Sequence, residues 1–269
     1  MQGHCQPFQR ARNAKTNPET IGVITSNVWI DTGLVLIYGS QLDANYHQHD
    51  AIQLVWPCYD SPSELNGETL HSLVVIASKQ SHCLKLSKGW ILLVEPHSLL
   101  GEQLEAKLQG QSMVSFELDA DGMAHPPFDK DSAFQLVASI FRVMSIEQTL
   151  LNCNQSSVTD ERIQSLLENL DTCFVADCIK PERWRAADVA QTLNLSESRF
   201  LHIFKNQVGI AWRPFLLWRR LICALQALIK GKSATDAAYM AGFSDSAHLS
   251  RTFRSTFGMS ITQAKNQIK

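Results

Sequence analysis

Val189-Ala-Gln-Thr-Leu193-Asn-Leu-Ser196 returns later in the chain as Ala237-Ala-Tyr-Met-Ala241-Gly-Phe-Ser244. Each copy runs on into a second amphipathic segment, residues 200–209 after the first and residues 249–258 after the second. A short helix, a tight turn and a second helix form a helix-turn-helix unit, whose second helix fits the major groove of DNA. The repeat therefore predicts two such units on one chain.

The residues at the turn of each copy support this interpretation. Gly242 and Asn194 occupy the position that needs a left-handed backbone, which glycine and asparagine tolerate best. Ser196 in the first copy, and Ser244 or Asp245 in the second, are placed to cap the following helix with a side-chain oxygen. We therefore predict a recognition helix after each turn.

Charge is divided unevenly along the chain. The protein has a net charge of −2, but residues 181–269 carry 13 Lys/Arg and 5 Asp/Glu, whereas residues 1–180 carry 11 and 21. A basic segment joined to an acidic one is expected if only the C-terminal part meets phosphate. The chain is 45% hydrophobic and 19% charged, which is typical of a folded protein.

The sequence contains no membrane or secretion signal. No apolar run reaches the roughly 18 residues that a membrane-spanning helix needs, and the polar N-terminus lacks the pattern of a signal peptide. The seven cysteines include no Cys-x-x-Cys pair. We therefore predict a cytoplasmic protein with unpaired thiols and no membrane contact.

The rest of the pattern predicts an α+β multidomain protein. Residues 1–15 are predicted as a flexible tail, and residues 16–128 as a small β-barrel, because short runs rich in Val, Ile, Leu and Trp alternate with turn residues. The predicted strands are residues 21–30, 34–38, 51–56, 70–77, 83–86 and 90–94. Residues 129–157 are predicted as a helical connector, and residues 158–269 as an all-α double helix-turn-helix domain.

Two amphipathic helices are predicted between the strands and the repeat. The apolar stripe of the first consists of Phe134, Val137, Phe141, Met144 and Leu151. The apolar stripe of the second consists of Ile163, Leu166, Leu167 and Leu170. These stripes fit either a contact between two copies in a homodimer or packing within one chain, and both interpretations stay open.

The end of the chain resembles the AraC/XylS family of transcriptional regulators. The resemblance is carried by Gly231 and the run Ala238-Tyr-Met-Ala-Gly-Phe-Ser-Asp-Ser-Ala-His-Leu-Ser-Arg-Thr-Phe-Arg-Ser-Thr-Phe-Gly258. Arg220-Leu221 and Ala224 resemble part of that family's linker helix, and residues 212–229 are predicted as a helix about 27 Å long. Such a helix could hold two recognition helices about one DNA turn apart.

One departure from the family pattern follows the final glycine. Ile261, Ala264 and Lys265 replace the usual Pro and Tyr-Arg. The resemblance nevertheless implies a bacterial DNA-binding regulator that is not an enzyme. It also implies a homodimer that contacts double-stranded DNA and RNA polymerase.

The resemblance further implies which side chains face DNA. They are Glu197, Ser198, Arg199, Leu201, His202 and Lys205 in the first recognition helix, and Ser246, Ala247, His248, Ser250, Arg251 and Arg254 in the second. Arg251 is the candidate for direct base reading, because a guanidinium spans O6 and N7 of guanine. A phosphate contact is the competing interpretation for Arg251, and it is the role predicted for Arg199, Lys205 and Arg254.

His47-Gln48-His49 and the later His82 resemble a degraded cupin pattern. Alternation along a strand places His47 and His49 on one face, so joint metal ligation is sterically possible. Gln53, however, stands where metal-binding cupins have a carboxylate. We predict no metal and no cofactor. The three histidines remain candidates for ligation, for lining the pocket of a small-molecule effector together with Gln53, or for structural roles.

Other residues of the N-terminal half are candidates for an effector pocket. Four aromatic residues could line it or simply fill the barrel, namely Trp29, Tyr38, Tyr46 and Trp56. The run Leu93-Val-Glu95-Pro-His97-Ser98 resembles a strand end found in sensor domains of the AraC/XylS family.

The sequence as a whole predicts a sequence-specific DNA-binding transcriptional regulator. By resemblance, a small-molecule effector in the cupin-like domain would control it by favouring one arrangement of the sensor. Two alternatives are a metal-dependent cupin enzyme fused to a DNA-binding module, and an architectural DNA binder.

Overall fold

A computed structural model of the protein describes residues 27–59, 61–117, 129–147, 158–175 and 184–267. Within these ranges, the strands precede every helix except the one at residues 99–108, which confirms the α+β architecture. The strands are β1 (Asn27–Asp31), β2 (Leu34–His47), β3 (Ile52–Pro57), β4 (Ser63–Leu65), β5 (Glu68–Thr69), β6 (Leu73–Ile76), β7 (His82–Val94) and β8 (Met113–Phe116). The helices are α1 (Leu99–Leu108), α2 (Lys130–Val143), α3 (Glu161–Val175), α4 (Ala186–Thr192), α5 (Glu197–Val208), α6 (Trp212–Ile229), α7 (Ala234–Met240), α8 (Ser246–Phe257) and α9 (Ile261–Gln267).

The strands form one antiparallel sheet that lies between two helical layers. Its main order is β1-β2-β7-β3-β6-β8, and β4 pairs with β5 and β7. Successive side chains of a strand point to opposite faces, so in β2 Leu36 and Tyr38 pack toward α1 and α2, whereas Val35 packs toward the C-terminal helices. β1 and β8 do not pair with each other in the described ranges, so the predicted barrel is an open sheet.

β7 differs from the strand prediction. The sequence predicts two strands separated by a turn at Lys88-Gly89, but β7 runs through this point and pairs with β2 on both sides of it. A Cβ atom at residue 89 would lie 2.4 Å from the backbone oxygen of Trp56 in β3. Gly89 therefore allows the close approach of two strands, which is one use of glycine in sheets.

α1 is a helix that the sequence analysis does not predict. Ser98 caps it, since its Oγ accepts the N–H of Gly101 at 3.0 Å. The position of Gly101 inside the helix requires glycine, because a Cβ atom there would lie 2.3 Å from the backbone oxygen of Glu95. A glycine in a ten-residue helix weakens the local helical signal.

The apolar stripes of α2 and α3 pack within the chain. In α2, Val137 and Phe141 are buried against the sheet face that α1 also covers. In α3, Ile163 and Leu167 are buried against α4, α5 and the first part of α6. Leu151, which the sequence places on the first stripe, falls outside the described residues.

The C-terminal helices match the predicted double helix-turn-helix. α6 has the predicted bounds, and the two turns contain Asn194 and Gly242 with φ angles of 54° and 73°. The altered residues after Gly258 still form a helix, α9, in which Ile261 and Ala264 are buried.

Two further observations concern the cysteines and the membrane. Cys223 in α6 takes part in a disulfide, so the prediction of unpaired thiols is wrong at this position. Among the described residues, no helix combines the length and the hydropathy that crossing a bilayer requires.

Candidate nucleic-acid interface and interdomain cavity

Both recognition helices begin at a side-chain cap and end at a glycine. The Oγ of Ser196 accepts the N–H of Arg199 at 3.3 Å at the start of α5. At the start of α8 the cap is Asp245, whose Oδ1 accepts the N–H of His248 at 2.6 Å. Gly209 and Gly258 end the two helices with φ angles of 76° and 69°. Because both ends are fixed by local chemistry, the side chains on each helix have defined directions.

The predicted DNA-facing residues lie on the open sides of α5 and α8. All are exposed or partly exposed, namely Glu197, Ser198, Arg199, Leu201, His202 and Lys205 on α5, and Ser246, Ala247, His248, Ser250, Arg251 and Arg254 on α8. The opposite sides are buried, by Phe200 and Phe204 in α5 and by Leu249 and Phe253 in α8. This is the separation of faces that the spacing predicts.

Four of these side chains are exposed cations. Within the described part of the chain, no salt bridge uses Arg199, Lys205, Arg251 or Arg254. The backbone N–H of His248 lowers the pKa of the Asp245 carboxyl, and Ser244 and the nearby charge of Arg251 lower it further. Positive charge on both helices thus remains available to phosphate or base edges.

Arg220 holds the turn of the second unit. Its Nε donates to the backbone oxygen of Ala241 at 3.0 Å, and its Nη2 donates to the backbone oxygen of Gly242. Its guanidinium also lies 4.5 Å from the ring centre of Phe243. This residue of the linker helix therefore positions α7 and α8 relative to α6.

A buried ionic cluster joins the sheet to the linker helix. Glu95, just after β7, accepts from Nη2 of Arg219 at 2.6 Å and from Nε1 of Trp218 at 3.2 Å. His97 Nε2 lies 3.1 Å from the same carboxylate, and Arg219 also donates to Asp171 of α3. Burial acts to raise the pKa of Glu95, but the charges of Arg219 and His97 hold it at about 2.

A second contact joins β2 to the end of α8. The N–H of Asn45 donates to the backbone oxygen of Gly258 at 3.0 Å. A Cβ at residue 258 would lie 2.4 Å from the oxygen of Asn45 and 2.7 Å from Nδ1 of His47. The C-cap of the second recognition helix is therefore in direct contact with the sheet.

A cavity of about 700 Å³, including its open mouth, lies between the sheet and the second helix-turn-helix. Its walls are mainly apolar, with Ile37, Leu84 and Ile91 on the sheet side and Leu225, Phe253 and Phe257 on the helical side. His47, His49 and Gln53 supply polar atoms to its lining. Both domains contribute to the cavity, and mainly apolar walls with a few polar groups are typical of small-molecule sites.

The structure brings together the three histidines that the sequence singles out. His47, His49 and His82 are buried, and one nitrogen from each lies within 4.8 Å of the others. Gln53 Oε1 is 3.0 Å from Nε2 of His49 and 3.3 Å from Nε2 of His82. Burial lowers the pKa of His47, and it lowers the pKa values of His49 and His82 to about 4. The rings are therefore neutral near pH 7.

Comparison with known proteins identifies the C-terminal region. Residues 189–267 match a family model described as "Helix-turn-helix domain". The chain is 31% identical over 83 residues to the virulence regulon transcriptional activator VirF of Yersinia enterocolitica and to the thermoregulatory protein LcrF of Yersinia pestis. It is 33% identical over 101 residues to the probable transcriptional regulator LumQ of Photobacterium leiognathi.

The C-terminal domain is an AraC-type helix-turn-helix domain. The matches cover 30% to 36% of this chain and 31% to 41% of the relatives' own length, so they concern this domain and not the sheet. The fold of the whole chain is similar to that of a variant of apo ToxT from Vibrio cholerae. The TM-score is 0.52 at 13% identity, over 89% of this chain and 99% of that chain.

The aromatic pocket candidates lie away from the cavity beneath the AraC-type domain. Trp56 and Trp90 stack at 5.8 Å on the opposite sheet face, and Tyr38 contacts Trp90 at 4.7 Å. Trp29 in β1 stacks on Trp90 in β7, with β2 between the two strands, and Tyr46 is 68% exposed. These rings fill the core under α1 and α2 or face solvent, so they do not line this cavity.

Sequence analysis does not predict the residues by which the AraC-type domain contacts the sheet. Glu95 is quoted only as part of a strand end, and Arg219 is not singled out. The signal that could have revealed this contact is the charge of Arg219 within the apolar face of α6, because a charge in such a face requires a buried partner.

Proposed function

We propose that this chain is a sequence-specific DNA-binding transcriptional regulator. The main support is the pair of capped recognition helices of the AraC-type domain, each with exposed cations that form no salt bridge within the described residues. The net charge of +8 on residues 181–269 provides attraction to phosphate along the same domain. The exposed faces of the two recognition helices take no part in the packing of the chain itself.

The two recognition helices have different roles in this proposal. Arg251 on α8 reads a guanine in the major groove. Arg199, Lys205 and Arg254 contact phosphates and set the register of the protein on the duplex. α5 offers fewer donors for base edges, so α8 supplies more of the sequence discrimination.

We further propose that a small-molecule effector acts at the interdomain cavity. The sheet and the C-terminal helices each supply part of the cavity wall, so a molecule bound in the cavity contacts both. Such a molecule stabilises one relative arrangement of the two, and it shifts the population toward that arrangement. Its chemistry follows from the walls: a mainly apolar body with one polar end near His49 and Gln53.

The working assembly in this proposal is a homodimer that contacts RNA polymerase in the bacterial cytoplasm. The apolar stripes of α2 and α3 pack inside the chain, so the dimer requires another surface. Light scattering on the purified protein, alone and with DNA, measures this stoichiometry directly.

A metal-dependent cupin enzyme is a poorer account of the same chain. Gln53 provides no carboxylate among the three histidines, and the AraC-type domain covers this face of the sheet. We therefore propose no catalytic role.

The function is tested by selecting duplexes from random DNA with the purified full-length protein. We expect one enriched motif with two contacted segments, and an affinity that falls as salt rises, because bound Lys and Arg displace counterions. Lys85→Ala, which removes an exposed positive charge from the sheet, should leave this affinity unchanged. Enrichment of no motif, with equal affinity for all duplexes, would favour the architectural alternative.

A further inference from the structure

The three buried histidines carry chemistry that DNA binding does not use. The Nδ1 atoms of His47, His49 and His82 lie 2.7, 3.0 and 2.9 Å from the backbone oxygens of Asn45, Ala51 and Gln80. A carbonyl oxygen only accepts, so each Nδ1 carries the proton and donates it. The Nε2 atom of each neutral ring is therefore the one with a free lone pair.

The Nε2 lone pairs of His49 and His82 face another hydrogen-bond acceptor, not a donor. The Oε1 of Gln53 lies within hydrogen-bond distance of the Nε2 atoms of both His49 and His82. Two bare nitrogens and an amide oxygen repel one another unless a cation or a shared donor lies among them.

We propose that His47, His49 and His82 bind one divalent transition-metal ion, with Zn²⁺ the preferred ion and Gln53 a fourth, oxygen ligand. Imidazole nitrogen is a preferred ligand of zinc, and a hydrogen bond from the other ring nitrogen to a carbonyl is the usual support of such ligands. The described residues supply both features at all three histidines. Neutral ligands leave the ion positive, which suits an additional anionic ligand entering from the cavity.

Binding requires a small closure of the cluster. A tetrahedral ion with Zn–N distances of about 2.0–2.1 Å holds its ligands roughly 3.3 Å apart. The candidate nitrogens lie within 4.8 Å of one another, so the rings must turn toward a common centre. The ring of His47 takes part in this movement while its Nδ1 keeps the hydrogen bond to the backbone oxygen of Asn45.

The end of β2 that carries His47 also contacts the second helix-turn-helix unit. This contact gives the ion a regulatory role. Asn45 accepts from His47 through its oxygen and donates through its N–H to Gly258, the C-cap of α8. Closure of the histidines therefore acts on the contact between β2 and the second recognition helix. This regulatory step rests on the proposed function in DNA binding, whereas the binding of the ion does not.

The first test measures zinc retained by the full-length protein. Protein freed of metal with a chelator is given Zn²⁺, passed through gel filtration and analysed for metal. We expect one zinc per chain in the wild type and in His71→Ala, which removes an exposed histidine of the same sheet domain. Loss of a ligand's hydrogen-bonding partner costs about 10- to 100-fold in metal affinity, so we expect His49→Ala to lose at least about 100-fold.

The competing account is that Gln53 turns its NH₂ group toward His49 and His82 and satisfies both rings without an ion. In that case the wild type retains no more zinc than His49→Ala, and the proposal fails. A second variant, His82→Cys, keeps the site testable if His49→Ala fails to fold. With Co²⁺ as the probe, it should show a thiolate-to-cobalt absorption band that the wild type lacks, and absence of this band would exclude residue 82 as a ligand.

The second test measures coupling to DNA. The affinity for the duplex selected by the metal-free protein is compared with and without Zn²⁺, and the zinc affinity with and without that duplex. We expect both to change by the same factor, at least about fivefold, because coupling between two sites is reciprocal. Zinc binding with no change in DNA affinity would overturn the regulatory role alone. Failure to select any duplex would instead contradict the proposed function, and the metal analysis would still decide the site.

Discussion

In the proposed function, base reading by α8 depends on Arg251. We expect Arg251→Ala to weaken binding to the selected duplex by about 1–3 kcal/mol and to relax the preference at one base pair. Arg251→Lys should keep the salt dependence and lose the base preference, since only the guanidinium forms two parallel hydrogen bonds. Fluorescence titrations on the selected duplex and its single-base variants measure both effects. An equal loss on all duplexes would make Arg251 a phosphate contact.

Glu95 is the residue that attaches the sheet to the linker helix. Glu95→Gln leaves the buried Arg219 without this negative charge, and loss of one partner of a buried pair costs about 3 kcal/mol of unfolding free energy. Because the pKa of Glu95 is lowered to about 2, its contribution is complete above its ordinary value of 4.5 and disappears as pH falls toward 2. The difference between wild type and Glu95→Gln should therefore be constant from pH 7 to 5.

Urea denaturation at several pH values checks this expectation. Glu68→Gln, at an exposed position in β5, is the matched control and should change the unfolding free energy little. If Glu95→Gln were as mild as Glu68→Gln at pH 7, the ionic cluster would not contribute to stability.

Sequence analysis predicts single residues well where the governing geometry is local. Phe200 and Phe204 are buried because helical spacing places them together. His47 and His49 line the same cavity, but β2 ends at His47, so alternation along the strand does not place His49. Glu95 and Arg219 are 124 positions apart, and no local pattern joins them. The aromatic residues show the same limit, because Tyr38 in β2 and Trp56 in β3 share a face only through the pairing of both strands with β7 at Trp90, which no local pattern specifies.

At the scale of elements, the two recognition helices provide a matched comparison. Gly209 and Gly258 both end a helix in the left-handed region, where an alanine costs about 1–2 kcal/mol. An added Cβ meets nothing within 4 Å at Gly209, but it meets the oxygen of Asn45 at 2.4 Å at Gly258. Gly209→Ala should therefore show the conformational cost alone, and Gly258→Ala should also lose the contact with β2.

Hydrogen exchange separates these two effects. In Gly258→Ala we expect faster exchange of the Asn45 amide, which donates to Gly258 in the wild type. Gly209→Ala should leave that amide unchanged. Equal protection of Asn45 in both variants would show that the strand tolerates the added methyl group.

A helix with strong periodicity is predicted close to its bounds, as α6 shows without a side-chain cap at its start. β7 is the instructive failure, because Lys88-Gly89 has the composition of a turn. What makes glycine necessary there is the backbone of Trp56 in another strand, and such a neighbour is not visible in a local pattern. α1 is missed for a similar reason, since Gly101 serves a close packing contact within it.

At the scale of the whole molecule, the apolar cores do not follow the predicted domain boundaries. α3, α4, α5 and the first part of α6 enclose one core. The rest of α6 with α7, α8 and α9 shares a second core with one face of the sheet. The sequence places both helix-turn-helix units in one domain because they are repeats, but repetition does not specify what each unit packs against. The proposed effector or ion at the sheet would therefore act first on the second unit.

This division predicts two cooperative units in native-state hydrogen exchange. Amides of α8 should open together with β2 and β7, whereas amides of α5 should open in a smaller event with a weaker dependence on denaturant. Phe200→Ala should lower the opening free energy of the α5 amides by about 3–5 kcal/mol, because it leaves a cavity in the first core. It should leave the α8 amides nearly unchanged. Phe253→Ala, in the second core, should destabilise α8 and β2 together. If Phe200→Ala lowered the opening free energies of α5 and α8 equally, the two cores would form one unit, and a signal at the sheet would reach both recognition helices at once.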